Sequence, residues 1–165
     1  MPDISDFFIQ ADNAGVRLEI INGLPTWEML PNLTHQEAID RIRDSIRHLP
    51  MLDQRHCQCL HYADLHIKFP DGSDKRPDIS IFCQRPAETE SAVTAVPAAV
   101  IEIISRGYEK KDLDLGPPFY LAQGVKDIVV FDPYSQQVIH FDADGQREYQ
   151  SPTTLALKCG CEVTV

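Results

Sequence analysis

The stretch AAVIEII, residues 98–104, is a nearly continuous apolar run of strand length. Such runs are typical of strands that are covered on both faces, so it predicts a central strand of a sheet. Glu102 lies inside this run. An ionised carboxylate there is costly unless it is paired, hydrogen-bonded or bound to a metal. Glu102 is therefore a candidate functional residue, with a structural ion pair or a solvent-reaching strand end as the alternatives.

Strands are also predicted on both sides of this run. Residues 65–69 and 77–83 alternate between apolar and polar, and an Asp71-Gly72 turn lies between them, so we expect these two segments to form a hairpin. Residues 84–97 are rich in Pro, Ala, Thr and Glu and predict a surface loop. DIVVFD, residues 127–132, predicts a second buried strand, and residues 137–141 with an Asp144-Gly145 turn predict a closing hairpin.

Two helices and an opening hairpin complete the predicted elements. VRLEIIN, residues 16–22, followed by an Asn22-Gly23 turn, predicts a hairpin that continues through Met29. THQE, residues 34–37, has the form of a capping box, and apolar residues at helical spacing follow it up to Leu49, before Pro50. A second helix is expected over residues 109–123, distorted by the proline pair at 117–118.

The bulk properties predict one folded domain that spans residues 1–165. The chain is 43% hydrophobic and 24% charged, as in ordinary globular proteins. It has neither a signal-peptide pattern nor an apolar stretch of about eighteen residues, so we expect a cytoplasmic protein without a membrane partner. Its formal charge of −10 argues mildly against a nucleic-acid partner, although an acidic metal site contributes to that charge.

Five cysteines, an odd number, indicate reduced thiols in a cytosolic chain of this size. Two Cys-x-Cys pairs, at 57–59 and 159–161, lie in a sequence that also has His56 and His61, and together they would offer zinc ligands. The one-residue gap differs from the usual two to four residues of structural zinc sites. We therefore favour small buried residues on strands over a zinc site.

Asp78 and Glu102 form the most informative pair. Asp78 follows the basic pair Lys75-Arg76 and Pro77 at the start of a predicted strand. Taken alone it is more simply a solvated aspartate. Two carboxylates from adjacent strands, however, can hold one Mg²⁺, an ion that prefers oxygen ligands and keeps several waters. The pair thus predicts a site that could bind a phosphate oxygen through a metal.

Three segments occur in an order and spacing that resemble a known family. They are RPDISIF at 76–82, AAVIEIIS at 98–105 and YLAQGVKDIVVFDP at 120–133, and LEIINGLPTWEM at 18–29 followed by His35 extends the likeness to the N-terminal part. Together they resemble the Uma family of the PD-(D/E)xK, restriction-endonuclease-like superfamily. The resemblance implies an α/β fold with a mixed β-sheet core flanked by helices and an N-terminal β-hairpin.

The same resemblance assigns site residues. It places Asp78 at the family's PD aspartate and Glu102 at its strand glutamate, the two expected metal ligands. The peptide carbonyl of Ile103 would be a third, backbone ligand. Glu19 resembles the family's first-strand glutamate, with a surface strand residue as the alternative.

The motif lysine is the main departure from the family. An E-x-K motif would place it at Ile104, and the helix position that some relatives use falls on Gly116. Asp112 does match an acidic residue of the family's helix. Lys110 and Lys111 are the nearest substitutes by sequence, although adjacent lysines are more often solvated.

Two functions follow as expectations. One is a Mg²⁺-dependent endonuclease, with Mn²⁺ as a substitute ion, that hydrolyses phosphodiester bonds of nucleic acid, most naturally DNA. Asp78 and Glu102 would hold the metal, and Lys110 or Lys111 would orient or deprotonate the attacking water. The other is a nuclease-fold module without turnover that binds nucleic acid or a protein partner. A homodimer is expected only by analogy with restriction enzymes.

Overall fold

The structure, a computed structural model, describes residues 4–50, 57–87 and 91–165. Its α-helices are α1 (Ile4–Asn13), α2 (Leu33–Ser45) and α3 (Gly116–Ala122), and a π-helix (Lys111–Leu115) directly precedes α3. The strands are β1 (Val16–Ile21), β2 (Leu24–Met29), β3 (Arg47–His48), β4 (Leu60–Ala63), β5 (Ile67–Lys68), β6 (Asp74–Lys75), β7 (Ile79–Phe82), β8 (Ala99–Ile103), β9 (Asp127–Phe131), β10 (Gln137–Asp142), β11 (Gly145–Gln150), β12 (Thr154–Ala156) and β13 (Cys161–Thr164).

A six-stranded mixed sheet of order β11-β10-β9-β8-β7-β4 contains Glu102, and Asp78 directly precedes its strand β7. Strands β8 and β9 are parallel, and the other neighbours are antiparallel. Every residue of β8 is buried, which confirms the prediction of a central strand from its apolar sequence. Alternate residues face two separate apolar clusters, with Ile101 and Ile103 in one and Val100 in the other. Glu102 is therefore carried into the protein interior by the strand itself.

Two smaller sheets complete the structure. The first has the order β2-β1-β6-β5, and the predicted N-terminal hairpin is confirmed by the β1–β2 pairing, which closes at Ile21 opposite Leu24. The second has the order β12-β13-β3. The predicted closing hairpin is also confirmed, because β10 pairs with β11 up to Asp142 opposite Gly145.

The hairpin predicted between residues 65–69 and 77–83 is wrong. A tight turn pairs the residues that directly flank it, and here β5 pairs with β6, where Lys68 lies opposite Asp74. The chain then crosses into the six-stranded sheet, where β7 pairs with β4 and β8. This crossing matters for the site, since it places Lys75 in one sheet and Asp78, three residues later, directly before β7 of the other.

The helices differ from the sequence prediction at their ends. Helix α1 was not predicted, because its exposed Phe7 and Ile9 obscure an apolar stripe. Helix α2 is capped by Asn32, whose side-chain oxygen accepts the N–H of His35 at 3.0 Å, in place of the predicted capping box at Thr34. It ends at Ser45, well before Leu49, because the following residues form β3.

The second helix is distorted, as the proline pair predicted. The wide turn of the π-helix precedes the prolines, which occupy the first turn of α3, where a missing N–H leaves no hydrogen bond unmade. Across the described part of the chain, no helix combines the length and apolar character that crossing a membrane requires.

The expectation of reduced thiols is wrong for four of the five cysteines, which form two disulfides. Cys57 is joined to Cys83 and Cys59 to Cys161, while Cys159 is free. The reason is spatial: the fold brings all these sulfurs to one place, which an odd count of cysteines cannot reveal. His56, named above beside the cysteines, lies outside the described residues.

Candidate functional site

Asp78 and Glu102 lie together where β7 and β8 meet the N-terminal hairpin. Asp78 directly precedes β7 and Glu102 lies in β8, and each is at most 2% exposed. The backbone N–H of Asp78 donates to Oε2 of Glu102 at 3.1 Å. The structure thus brings together the two acids that the sequence selected, in a buried setting.

Both side-chain oxygens of Asp78 have hydrogen-bond partners in the protein. Its Oδ1 accepts from Nη1 of Arg17 at 2.8 Å, and its Oδ2 accepts from the N–H of Ile103 at 2.7 Å and lies 3.1 Å from Nε2 of His35. Burial would raise the pKa of Asp78, but the charge of Arg17 and the hydrogen bond from His35 outweigh it and lower that pKa. Asp78 is therefore ionised. Ile103 contributes its N–H here, and metal ligation by its carbonyl stays a prediction.

Glu102 has the opposite tendency. Its Oε1 accepts the hydroxyl of Tyr120 at 2.6 Å. Burial and the negative charge of Asp78 raise the pKa of Glu102, and burial together with Glu102 raises the pKa of Tyr120 well above its ordinary value. Tyr120 thus remains a proton donor to Glu102, on which the charges of Lys75 and Lys111 act without offsetting burial.

Glu19 is buried, contrary to the alternative of a surface strand residue. It is 2% exposed, and its Oε2 accepts from Nζ of Lys75 at 2.7 Å and from Nζ of Lys111 at 3.2 Å. The N–H of Arg76 donates to its Oε1 at 2.8 Å. Burial alone would raise its pKa, but Lys75 and Lys111 outweigh burial and lower the pKa of Glu19 to about 2.

The two candidate lysines lie in different environments. Lys110 is exposed, whereas Lys111 is 7% exposed and its Nζ donates to Glu28 at 2.9 Å and lies 3.6 Å from Oδ1 of Asp112. Adjacent residues of a helix point in clearly different directions, so only one of the two can face inward. Burial would lower the pKa of Lys111, but Glu19 and Asp112 raise it well above its ordinary value. Lys111 is therefore a fixed cation.

The π-helix relates Lys111 to the position where the family's helix lysine was expected. The N–H of Gly116 donates to the carbonyl of Lys111, which places Gly116 one π-turn later on the same side. A side chain at Gly116 would start 3.3 Å from that carbonyl oxygen. The geometry thus leaves little room for a side chain at Gly116 and brings the lysine from the preceding turn.

Carboxylates outnumber cations in this site. The buried acids are Glu19, Glu28, Asp78, Glu102 and Asp112, and the buried permanent cations are Arg17, Lys75 and Lys111. Arg17 forms an ion pair with Glu28 as well as with Asp78. Burial would lower the pKa of His35, but its hydrogen bond to Asp78 outweighs burial and raises it, so His35 adds a fourth cation. One carboxylate is thus in excess, which in a buried setting calls for protonation or a further cation.

Asp112 shows the same shortage of positive charge. Among the residues that the structure describes, its Oδ2 has no hydrogen-bond partner. Burial raises its pKa well above the ordinary value, Lys111 opposes this, and the charges of Glu102 and Asp78 add to the rise. A divalent cation that prefers oxygen ligands fits this donor set, because it would supply the missing positive charge.

The site does not form a compact cage of protein ligands. Within residues 4–50, 57–87 and 91–165, the sets of three or more acid, His or Cys donor atoms mutually within 4.8 Å consist of cysteines or of Asp127, His140 and Asp142. Asp78 and Glu102 would therefore share an ion with water or substrate oxygens, which is the usual coordination of Mg²⁺.

Several site residues were not selected from the sequence: Arg17, Glu28, His35, Lys75 and Tyr120. In β1 the apolar residues Leu18 and Ile20 are only partly buried, and the buried face carries Arg17 and Glu19. Helix α1 packs against β1, so both of its faces are partly covered. The usable signal was the register of the hairpin, since Arg17 lies directly opposite Glu28, an opposite charge.

Comparison with known proteins agrees with this architecture. A family model described as "Uma2: Putative restriction endonuclease" matches residues 4–158. A crystal structure from Anabaena variabilis, titled "a putative nuclease belonging to DUF820", superposes with a TM-score of 0.65 at 19% identity, covering 93% of this chain and 88% of that one. No curated protein matches the chain. The expected α/β, restriction-endonuclease-like fold is confirmed.

Proposed function

The chain belongs to the Uma2 family, and we propose that it is a divalent-metal-dependent endonuclease that hydrolyses phosphodiester bonds of nucleic acid, with DNA as the substrate. The observation that carries the proposal is the excess of buried carboxylates over buried cations around Asp78 and Glu102. A site built only for stability would be expected to balance its buried charges. The family's description as a putative restriction endonuclease and the structural neighbour's description as a putative nuclease support phosphodiester hydrolysis as the reaction class.

Asp78 and Glu102 would hold Mg²⁺, or Mn²⁺ in its place, and the carbonyl of Ile103 would be a third ligand. When bound, the ion would polarise a phosphate oxygen and favour attack by water. Asp78 is already ionised, as a metal ligand must be, and Tyr120 orients Glu102 through its hydroxyl. Arg17 at Oδ1 and His35 at Oδ2 hold the carboxylate of Asp78 in place.

Lys111 would orient the attacking water or neutralise charge on the phosphate. Its raised pKa keeps it protonated, so it can donate hydrogen bonds but cannot accept a proton from water. Glu19 and Glu28 position its ammonium group, and Lys75 shares Glu19 with it. Of the two lysines proposed from sequence, the buried Lys111 is the one that we retain for this role.

The test is DNA cleavage by the purified protein and three variants. Wild type should cut in Mg²⁺ or Mn²⁺ and should not cut in a chelator. Glu102→Gln should abolish the divalent-dependent cleavage, and Lys111→Met should slow it by about 100-fold. Lys110→Met is the matched control, because this neighbouring lysine faces solvent. Unchanged cleavage by folded Glu102→Gln would refute the assignment.

A second candidate function is a nuclease-fold module that binds nucleic acid or a protein without turnover. It is favoured by the contacts of Asp78, both of whose oxygens already have protein partners. Such a module would bind equally well with and without divalent metal and would not cut in Mn²⁺. A salt-independent interaction would then indicate a protein partner, because phosphate binding weakens as salt rises.

A cytoplasmic location and a homodimer belong to the proposal as well. Both rest on the sequence and on analogy with restriction enzymes. Light scattering of the purified protein, with and without a DNA duplex, would report the oligomeric state.

A further inference from the structure

Every cysteine of the chain lies in one cluster, separate from the carboxylate site. Cys57 and Cys59 precede β4, Cys83 follows β7, and Cys159 and Cys161 flank the turn into β13. Cys57 and Cys59 are each 6% exposed and Cys161 is fully buried. The proposed nuclease reaction uses none of them, so the cluster calls for a separate explanation.

A histidine of a neighbouring strand borders this cluster. His48 of β3 is the direct cross-strand partner of Cys161 in β13. Its Nδ1 lies 3.6 Å from Sγ of Cys59, and Sγ of Cys57 lies 3.6 Å from Sγ of Cys161. The three sulfurs of Cys57, Cys59 and Cys161 all lie within 4.8 Å of one another.

Two of these spacings match the edges of a tetrahedral zinc site. Zinc binds sulfur at about 2.3 Å and imidazole nitrogen at about 2.0–2.1 Å, which at tetrahedral angles separates neighbouring ligand atoms by roughly 3.5–3.8 Å. Both 3.6 Å distances, sulfur to sulfur and sulfur to nitrogen, fall in this range. The cluster therefore has the ligand types that zinc requires and two of the ligand spacings. Cys59 and Cys161 are joined as a disulfide, so their sulfurs must separate on reduction, and His48, which lies outside the 4.8 Å set, must move closer to Cys57 and Cys161.

We propose that His48, Cys57, Cys59 and Cys161 form a Cys₃His zinc site when the two disulfides are reduced. A dithiol reductant supplies two electrons and two protons to each disulfide, which becomes two thiols while the reductant becomes a disulfide. Zinc then displaces one proton from each of the three ligand thiols, and His48 binds through its neutral Nδ1. Cys83 and Cys159 are not ligands.

Four protein ligands leave no open position, so the site is structural and not catalytic. It joins the sheet of β12, β13 and β3 to the segment that leads into β4 in the six-stranded sheet. The sulfurs are shielded from water, whereas His48 is exposed, so the ion would enter the site from the side of His48. The fourth ligand could not be read from cysteine spacing, because His48 reaches Cys161 only through the β3–β13 register.

The experiment is metal loading of the full-length chain kept in a dithiol reductant. Wild type loaded with Zn²⁺ and dialysed should retain one zinc per chain by elemental analysis. Loaded with Co²⁺, it should show thiolate charge-transfer bands and the intense visible absorption of tetrahedral cobalt. Cys161→Ser and His48→Gln should weaken zinc binding by about tenfold or more.

Cys83→Ser and Cys159→Ser are the matched controls, since each removes a thiol from the same cluster without removing a proposed ligand. Both should retain one zinc. The proposal is overturned if reduced wild type retains no zinc, or if His48→Gln binds zinc and cobalt as wild type does. It is equally overturned if the two control variants lose the metal. Should Cys161→Ser fail to fold, the exposed His48→Gln still decides.

Discussion

The backbone N–H of Asp78 donates to Oε2 of Glu102 at 3.1 Å, so that two buried carboxylates from neighbouring strands share one hydrogen-bond network. Their protonation tendencies are opposite: the pKa of Asp78 is lowered and that of Glu102 is raised. Arg17 accounts for much of the difference, because it pairs with Asp78 and not with Glu102. Asp78 thus carries a fixed negative charge, whereas a bound cation would favour the ionised form of Glu102.

Divalent metal should bind to wild type and not to the double variant Asp78→Ala/Glu102→Ala. Calorimetric titration of Mn²⁺ measures this directly. A ligand at about 100 times its Kd stabilises the folded state by about 2.7 kcal/mol, so thermal unfolding should also shift upward in wild type alone. Identical titrations of the two proteins would leave Glu102 as a structural acid and favour the module without turnover.

The same titration should depend on pH. A metal ligand must be deprotonated, and the pKa of Glu102 is raised by burial and by Asp78. Affinity should therefore fall as pH falls through the raised pKa, and protons should be released on binding. Titrations in two buffers of different ionisation enthalpy count those protons. Binding that releases none at any pH would exclude Glu102 as the titrating ligand.

Arg17→Met should destabilise the protein by about 3–5 kcal/mol, the usual loss when one partner of a buried ion pair is removed. Arg17 contacts both Glu28 and Asp78 and is 3% exposed. Urea unfolding of the single variants and of Arg17→Met/Glu28→Gln tests the coupling. The double variant should lose less than the sum of the two single losses. Additive losses would show that the pair does not act as a unit.

The sequence was informative where a charge interrupts an apolar strand. Glu102 was selected because an acid inside the apolar run of residues 98–104 needs a charged partner, a hydrogen bond, a metal or contact with solvent. Asp78 was then selected from its place at the start of the adjacent strand. The sequence could not decide between Lys110 and Lys111, because which of them faces inward depends on the rotation of a helix that contains a π-helical turn. The partners of Asp78 were also hidden, because Arg17 and His35 are 61 and 43 residues away in the chain.

Asp112→Asn should stabilise the metal-free protein at neutral pH. The pKa of Asp112 is raised in the folded state, so the unfolded chain ionises first as pH rises above 3.8. The wild-type acid thus lowers stability increasingly above about pH 4, and Asn removes that cost. The gain should be absent near pH 3. Urea unfolding across this range would contradict the argument if Asn were less stable at pH 7.

Glu19→Gln should show the opposite dependence on pH, although Glu19 and Asp112 contact the same Lys111. The pKa of Glu19 falls from 4.5 to about 2 on folding, so its ionised form stabilises the folded protein above about pH 4.5. That contribution is lost progressively as pH falls towards 2. The variant should therefore be less stable than wild type at pH 7, by on the order of 2 kcal/mol or more, and equal to it near pH 2.

Unfolding measured beside Asp112→Asn makes each variant the control for the other, since a general loss of packing would shift both in one direction at every pH. Parallel curves for the two variants would mean that Lys75 and Lys111 do not hold Glu19 as the structure describes.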